Sequence, residues 1–221
     1  MQPKSFIIND SKVSNMLYTD FIYDFDGTIA DSYPIFAEAF LRLLNEKNIV
    51  ADYDQIMDLL KVSVQTAVDA FELNEDPKLF RNRFRDLRNQ IMMVKGQPME
   101  GALELLAFVK EHGGHNYIYS HSPRYIWDWL KKWGMDQYFE GGVTADDGFP
   151  RKPAPDALNY ICETYGIQKE KALMVGDRDI DIDAGHNADI KGVLLDPDGF
   201  YTNYTPDFQV VNLTEIKKII L

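Results

Sequence analysis

The chain has 221 residues, 45% of them hydrophobic and 26% charged, with 35 acidic side chains against 23 basic ones and a net charge of −12. That balance excludes a disordered chain and argues against a nucleic-acid or anionic-membrane surface, which needs a basic stripe. No apolar run approaches the ~20 residues of a membrane span, no secretory leader is read ahead of the first strand, and the single cysteine, Cys162, excludes an internal disulfide and a cysteine-based zinc site.

The expected compartment is therefore the cytoplasm. Cys162 lies in a helical pattern with Leu158, Ile161 and Tyr165 and reads as a small core hydrophobe. Residues 1–16 are polar and weakly patterned, and read either as an N-terminal extension or as a lead-in before a start at Met16.

A β-rich run, Phe21 to Tyr23, then ends in Asp24-Phe25-Asp26-Gly27-Thr28. Carboxylates at the carboxyl end of a strand stand where open α/β sheets bind ligands. Strand alternation sends Asp24 and Asp26 to one side and Phe25 to the other, and Gly27 permits a tight turn. Two close carboxylates can divide labour as nucleophile and general acid/base, or share a metal.

From Pro34 to about Lys95 the periodicity predicts four helices and no strand: Ile35, Phe36, Ala39, Phe40, Leu43, Leu44; Ile56, Leu59, Leu60; Val64, Ala67, Val68, Phe71; and Pro77 to Val94, started by Asn74-Glu75-Asp76-Pro77. Lys78, Arg81, Arg83, Arg85 and Arg88 interleave with apolar residues of that last helix and read as a solvated face, with an electropositive surface facing an anionic substrate as the alternative. Gly96 to Gly101 is a turn-rich hinge.

Beyond the hinge the rhythm predicts helix 100–111, strand 116–119, helix 123–133 and strand 142–144. Helix 154–165, strand 172–175, helix 182–187, strand 192–195, and a last strand and helix over 209–219 follow. Such alternation implies an α/β fold with a parallel sheet. The first strand must join that sheet to bury its apolar run, which makes the bundle at 34–97 an insertion into one α/β unit formed by 17–33 and 98–221. Trp127, Trp129 and Trp133 read as packing residues.

Three further strand ends carry polar chemistry. Ser120 ends the second strand, where a hydroxyl can donate to an anionic oxygen, and Ser122 is expected to cap the helix starting at Pro123. Lys152 precedes Pro153-Ala154-Pro155; on spacing alone it reads as a solvated lysine, though as a compact charge it can bridge carboxylates and a phosphate. Gly176-Asp177 follows the strand at 172–175. Asp177 and Asp181 lie four apart, as do Asp179 and Asp183, and Gly176 favours the first pair by setting Asp177 at the strand tip, leaving Asp183 to solvent. Hard oxygen ligands at this spacing suit Mg²⁺. Two carboxylates ~4 Å apart repel by about 4 kcal/mol at an effective dielectric near 20, so Asp24, Asp26, Asp177 and Asp181 converge only around positive charge.

In this order the four strand ends resemble the motifs of the haloacid-dehalogenase superfamily, specifically its phosphatases of the phosphoglycolate-phosphatase-like group: Asp24 to Thr28, Ser120, Lys152 with Pro153 to Asp156, and Gly176-Asp177 through Asp181. The resemblance implies a Rossmann-like core with a C1-type helical cap, Asp24 as nucleophile forming an aspartyl-phosphate, and Asp26 as general acid/base. It also implies Ser120 and Lys152 on the transferring oxygens, with Gly27, Thr28 and the His121 amide beside the phosphate. Mg²⁺ is implied on Asp24, the Asp26 backbone carbonyl, Asp177 and Asp181. His121 departs from the small or amide residue common after the second motif.

The expected activity is Mg²⁺-dependent hydrolysis of a small phosphorylated metabolite. The alternatives are a β-phosphoglucomutase-type phosphomutase, which typically carries Glu-Asp where this chain has Gly176-Asp177 and usually lacks the second acid, and a non-catalytic binding protein. Arg81, Arg85, Lys61 and Gln65 are the cap candidates for substrate choice, and the oligomeric state, monomer or homodimer, is left open.

Overall fold

Asp20–Tyr23 forms a strand, β1, buried along its whole length, as a strand inside a sheet covered on both faces must be. The structure, a computed structural model, describes residues 16–73 and 75–221; the reading of an N-terminal extension falls on residues 1–15, outside them. Among the described residues β1 is joined by β2 (His115–Tyr119), β3 (Phe139–Val143), β4 (Ala172–Gly176), β5 (Lys191–Leu195) and β6 (Phe208–Val210). All pairings are parallel, in the order β3-β2-β1-β4-β5-β6. Strand order reverses direction between β1 and β4, so the crevice beyond their carboxyl ends is the topological switch point.

Between β1 and the rest of the sheet the chain forms α1 (Tyr33–Asn45), α2 (Tyr53–Val62), α3 (Val64–Asp69) and α4 (Pro77–Lys95). Their starts are written locally. Asp52 accepts the N–H groups of Asp54 and Gln55 at 3.1 Å, Ser63 that of Thr66 at 2.9 Å, and Asp76 that of Lys78 at 2.8 Å with Pro77 following. The apolar stripes of α1 and α4 close on one another through Phe40 with Phe80 and Phe84, ring centroids 5.1 and 5.7 Å apart. The two chain segments that lead into and out of this bundle are themselves paired. Ala30 bridges Pro98, the Asp31 N–H donates to the Gln97 carbonyl at 3.1 Å, and the Met99 N–H donates to that of Ile29 at 2.8 Å.

The remaining helices are α5 (Ala102–Glu111), α6 (Ile126–Lys132), α7 (Asp156–Tyr165), α8 (Asp179–Asn187) and α9 (Ile216–Ile220). Residues of α5, α6 and α9 cover the sheet face that carries Phe21, Tyr23 and Val175, and this apolar cluster runs on into the four-helix insertion. Helices α7 and α8 pack on the face of Ile22, Tyr119 and Met174, where Cys162 is buried as expected. Phe25 turns away from its neighbouring aspartates and stacks between Trp129 and Trp133, at 5.8 and 6.1 Å. The Trp129 indole donates to Met93 Sδ and that of Trp133 to the Gly96 carbonyl, so these tryptophans pack the hinge as well as the sheet.

Two helix starts differ from the sequence expectation by three residues, while those expected at 100 and 154 fall two residues later, at Ala102 and Asp156. The helix expected from Pro123 begins at Ile126, and residues 123–125 form a turn of i→i+3 bonds. Ser122 does not cap it, because its hydroxyl is taken by Asp26. Helix α8 begins three residues earlier than expected because the Asp181 carboxylate accepts the Arg178 backbone N–H at 3.0 Å and closes the first turn. Among the described residues no helix is long and apolar enough to cross a membrane.

Candidate active site

Asp24 follows β1 directly, its N–H donating to the Val175 carbonyl of β4 at 2.8 Å. One Asp24 oxygen accepts from Lys152 Nζ at 2.6 Å, and the same Nζ lies 2.7 Å from Asp181 Oδ1. The lysine side chain is 1% exposed and stands 4.5 Å from the Tyr119 ring centroid. The surface lysine that spacing alone suggests is thus a buried bridge between two carboxylates.

Asp177 projects from the bend between β4 and α8, not from the helix itself, and still converges: Asp24, Asp177 and Asp181 each offer an oxygen within 4.8 Å of the others. Thr28 Oγ1 donates to Asp177 Oδ1 at 3.2 Å and the Tyr33 hydroxyl to Oδ2 at 2.6 Å. Asp26 stands to one side, with Ser122 Oγ donating to its Oδ2 at 2.6 Å. The Ser120 hydroxyl, buried at the end of β2, accepts the Ser122 N–H at 3.0 Å.

The electrostatics follow from burial and from an excess of negative charge. Burial pushes the Asp24 carboxyl well up; Lys152 opposes this, while Asp181, Asp177 and Asp26 add to it. Burial, then Asp181, pushes Asp177 up to about 7. Burial alone would lower Lys152, but Asp181 and Asp24 hold it above its ordinary value, so it stays cationic. One lysine does not balance three enclosed carboxylates with a fourth beside them. The donor set of hard oxygens in close convergence fits a small divalent cation.

His121 has a task its position in sequence does not announce. Its Nε2 accepts the Lys152 backbone N–H at 2.9 Å, and burial, with Lys152 and Arg151 nearby, pulls its pKa down to about 3. The neutral ring thereby ties the loop after β2 to the lysine's loop.

Two glycines admit the carboxylates. A Cβ on Gly176 would meet Asp181 Cβ at 2.3 Å, so an acid at 181 in this position requires glycine at 176. Gly27 holds φ +80°, and a Cβ there would lie 2.5 Å from both Asp177 Oδ2 and the Tyr33 ring. Gly27→Ala is expected to cost about 1–3 kcal/mol, through backbone strain and displacement of Asp177, or roughly 3–10 °C in Tm. Displacement of Asp177 should also weaken any divalent cation held by the cluster; thermal melts with and without Mg²⁺ check both effects.

Other sequence-derived candidates lie elsewhere. Asp183 is partly buried and accepts from the Tyr204 hydroxyl at 2.7 Å instead of facing solvent, and Asp179 accepts the Ile180 N–H. Of the insertion residues, Arg81 donates to Gln65 and exposed Arg85 pairs with Asp86, while Lys61 reaches the core to pair with Asp198 at 2.5 Å. Arg88 leaves the solvated face to which its cluster assigns it, and donates to Ser122 and Tyr125. Tyr33, Ser122, Arg88 and Arg178, whose Nη2 donates to the Val62 carbonyl at 2.7 Å, are contacts that strand-end motifs do not reveal. Size alone does not locate the site either. A cavity of about 440 Å³ opens at the other end of the sheet around Asp20, His115 and Tyr117, whereas one of about 170 Å³ touches Gly27, Tyr33 and Asp177.

Comparison with known proteins agrees with this geometry. The family model of haloacid dehalogenase-like hydrolases matches residues 21–195. The chain is 24% identical over 210 residues to the pyrophosphatase PpaX of Halalkalibacterium halodurans, covering 90% of this chain and 95% of that one. Among solved structures, a hydrolase from Streptococcus pneumoniae is similar at 29% identity and TM-score 0.68, over 92% of this chain and 98% of that one. A predicted phosphoglycolate phosphatase from Haemophilus somnus is similar at 25% identity and TM-score 0.78, over the same shares. With the matched stretch running from β1 to β5 and enclosing every strand end described above, the chain belongs to the haloacid dehalogenase-like hydrolases.

Proposed function

We propose that the chain is a Mg²⁺-dependent phosphatase that hydrolyses a small phosphorylated metabolite through an aspartyl-phosphate on Asp24. The observation that carries this reading is Lys152, buried and bridging Asp24 and Asp181 at the rim of a three-carboxylate cluster on the switch-point crevice. Similarity to proteins described as a pyrophosphatase and a phosphoglycolate phosphatase supports phosphate chemistry.

Lys152 holds one Asp24 oxygen, and the other attacks phosphorus in line with the leaving oxygen. The P–O bond to the leaving group breaks as Asp26 delivers its proton. Ser122 occupies one Asp26 oxygen, leaving the second for that proton. Asp26 then removes a proton from the water that attacks the aspartyl-phosphate, which releases inorganic phosphate and restores Asp24. Ser120, Lys152, Gly27, Thr28 and the His121 amide hold the transferring oxygens. Mg²⁺ would be held by Asp24, the Asp26 backbone carbonyl, Asp177 and Asp181, of which Asp24, Asp177 and Asp181 each offer an oxygen to the same point. When bound, the ion neutralises charge on the carboxylates and on the phosphoryl oxygens. The four-helix insertion acts as a cap that excludes bulk water and macromolecular substrates.

Phosphate release from a panel of phosphorylated metabolites, with Mg²⁺ and with a chelator, tests the proposal. Stoichiometric, Mg²⁺-dependent release supports hydrolysis; transfer back to substrate favours a mutase, and no turnover by folded protein ends the reading. Metal binding should also depend on pH. Asp177, held protonated up to about pH 7, must lose its proton to bind the ion. Affinity should therefore rise by about tenfold per pH unit below 7 and level off above it. The same raised value means that the metal-free protein takes up a proton on folding, and loses stability from this group as pH rises from about 4 to 7. Calorimetric Mg²⁺ titrations from pH 5.5 to 8.5 measure the first effect.

A further inference from the structure

Ser120 and the His121 amide stand on the loop after β2, and Lys152 on the loop that leads from β3 to α7. Both loops are proposed to hold the same transferring oxygens, so their separation matters to the chemistry. A lysine does not set that separation by itself. It reaches through a flexible four-carbon stem, and Nζ is placed only as well as the main chain it hangs from. The Lys152 main chain is tied to the other loop, its N–H donating to His121 Nε2 at 2.9 Å.

The ring that accepts this bond is itself held. His121 meets Tyr119 edge to face, centroids 5.9 Å apart at 83°, and the same Tyr119 ring lies 4.5 Å from Lys152 Nζ. Imidazole and phenol thus hold the lysine at its two ends, the main chain and the ammonium. Because Nε2 accepts, the one ring proton is on Nδ1. A protonated ring would set an N–H against the Lys152 N–H and break the tie. Burial first, then the nearby cations Lys152, Arg151 and Arg178, keeps the ring neutral. Asp24 and Asp181 hold Nζ at 2.6 and 2.7 Å before reaction. Once Asp24 carries phosphate, its share of that hold passes to the phosphoryl oxygens, and the main chain is then what keeps Nζ in line.

We infer that the His121 side chain is a positioning residue for phosphoryl transfer: through Nε2 it sets the separation between the Ser120 loop and the Lys152 ammonium, and so the alignment of the phosphoryl group on Asp24. This role rests on the phosphatase reading and deepens it. One residue then serves twice, its backbone amide toward the phosphoryl oxygens and its ring toward the lysine that shares them.

Substitutions at His121 separate positioning from packing, since each keeps the backbone amide. His121→Ala removes the acceptor. His121→Gln sets a carbonyl oxygen where Nε2 stands, and His121→Asn sets one where Nδ1 stands, short of the Lys152 N–H. Wild type is assayed on 2-phosphoglycolate, pyrophosphate and 4-nitrophenyl phosphate, and the variants on whichever it turns over fastest. Alanine and asparagine should each lower kcat by about 10²-fold with KM changed by less than about threefold, while glutamine recovers about tenfold of that loss. Long-range ¹H–¹⁵N spectra of the wild-type protein should show His121 as the neutral Nδ1–H tautomer from about pH 8 down to about pH 5. Unchanged kcat in the alanine variant, or glutamine and asparagine behaving alike, overturns the inference and leaves hydrolysis standing. An Nε2–H tautomer, or protonation of the ring within that range, overturns it equally. If the alanine variant fails to fold, the comparison of glutamine with asparagine decides. A folded wild-type protein that releases phosphate from none of the three substrates overturns the phosphatase reading, and this role with it.

Discussion

Asp24→Asn is expected to lower kcat by about 10⁴–10⁶-fold, because the amide is isosteric with the carboxylate but cannot form the phosphoryl-enzyme. Single-turnover phosphate release and trapping of labelled phosphate on the protein both measure this loss. The same substitution should not destabilise the fold. Its oxygen still accepts from Lys152, and it removes one of the enclosed charges whose mutual repulsion and burial push Asp24 up. In chelator the variant should melt at or above the wild-type temperature, the usual exchange of stability for activity at a strained site. Retention of full activity by Asp24→Asn would exclude the proposed nucleophile even if hydrolysis were established.

Lys152→Met should act in the opposite sense on stability. Nζ is the cation between Asp24 and Asp181, whose side chains are 12% and 2% exposed, and its removal strands two buried carboxylates. Breaking such a cluster by deleting one partner costs about 3–5 kcal/mol, a fall of roughly 8–15 °C in Tm for a chain of this size. Turnover should be lost as well. With the competing ammonium gone the variant should bind Mg²⁺ more tightly than the wild type does, and at saturating Mg²⁺ each tenfold gain in affinity returns about 1.4 kcal/mol to the variant relative to wild type, so the gap in Tm should narrow with metal while the activity stays lost. Differential scanning fluorimetry with Mg²⁺ and with chelator separates the two. An equal fall in Tm under both conditions would show that the lysine and the metal do not share the same carboxylates.

The layout of the fold was legible because its signals are local. The central strands β1, β4 and β5 are short, largely apolar runs bounded by turn residues, while β3 and β6 at the edges carry Glu140-Gly141-Gly142 and Gln209, and three of the four bundle helices carry their own caps at Asp52, Ser63 and Asp76. Asp24 and Asp177 were legible for a related reason, since each stands at the tip of an apolar strand and in a parallel sheet such ends converge; Lys152, which reads as solvated on spacing alone, and Ser120 were singled out only through the resemblance to the family's motifs. Ser122, Tyr33 and Arg88 were not legible in this way, since their roles depend on which face of the insertion meets the core. Arg88 alone left a trace, an arginine in the phase of Phe80, Phe84 and Ile91, which a reading of the cluster as one solvated face passes over. Ser122 was misassigned because a serine before a proline is an ordinary helix start, and nothing nearby in sequence shows that Asp26 competes for its hydroxyl.

Tyr33 is the first residue of α1 and belongs to the insertion, yet its hydroxyl donates to Asp177 in the core at 2.6 Å. The insertion itself hangs from the paired segments around Ala30 and Pro98. Any pivot on that strap which carries α1 outward takes a hydrogen-bond donor from a carboxylate that the cation must also share. Reciprocity then requires that whatever the cation gains or loses from Tyr33 in the shut state, shutting gains or loses equally from the cation. If the proposed Mg²⁺ site is filled, ion occupancy and the position of the four helices become two readings of a single equilibrium, connected through one phenol.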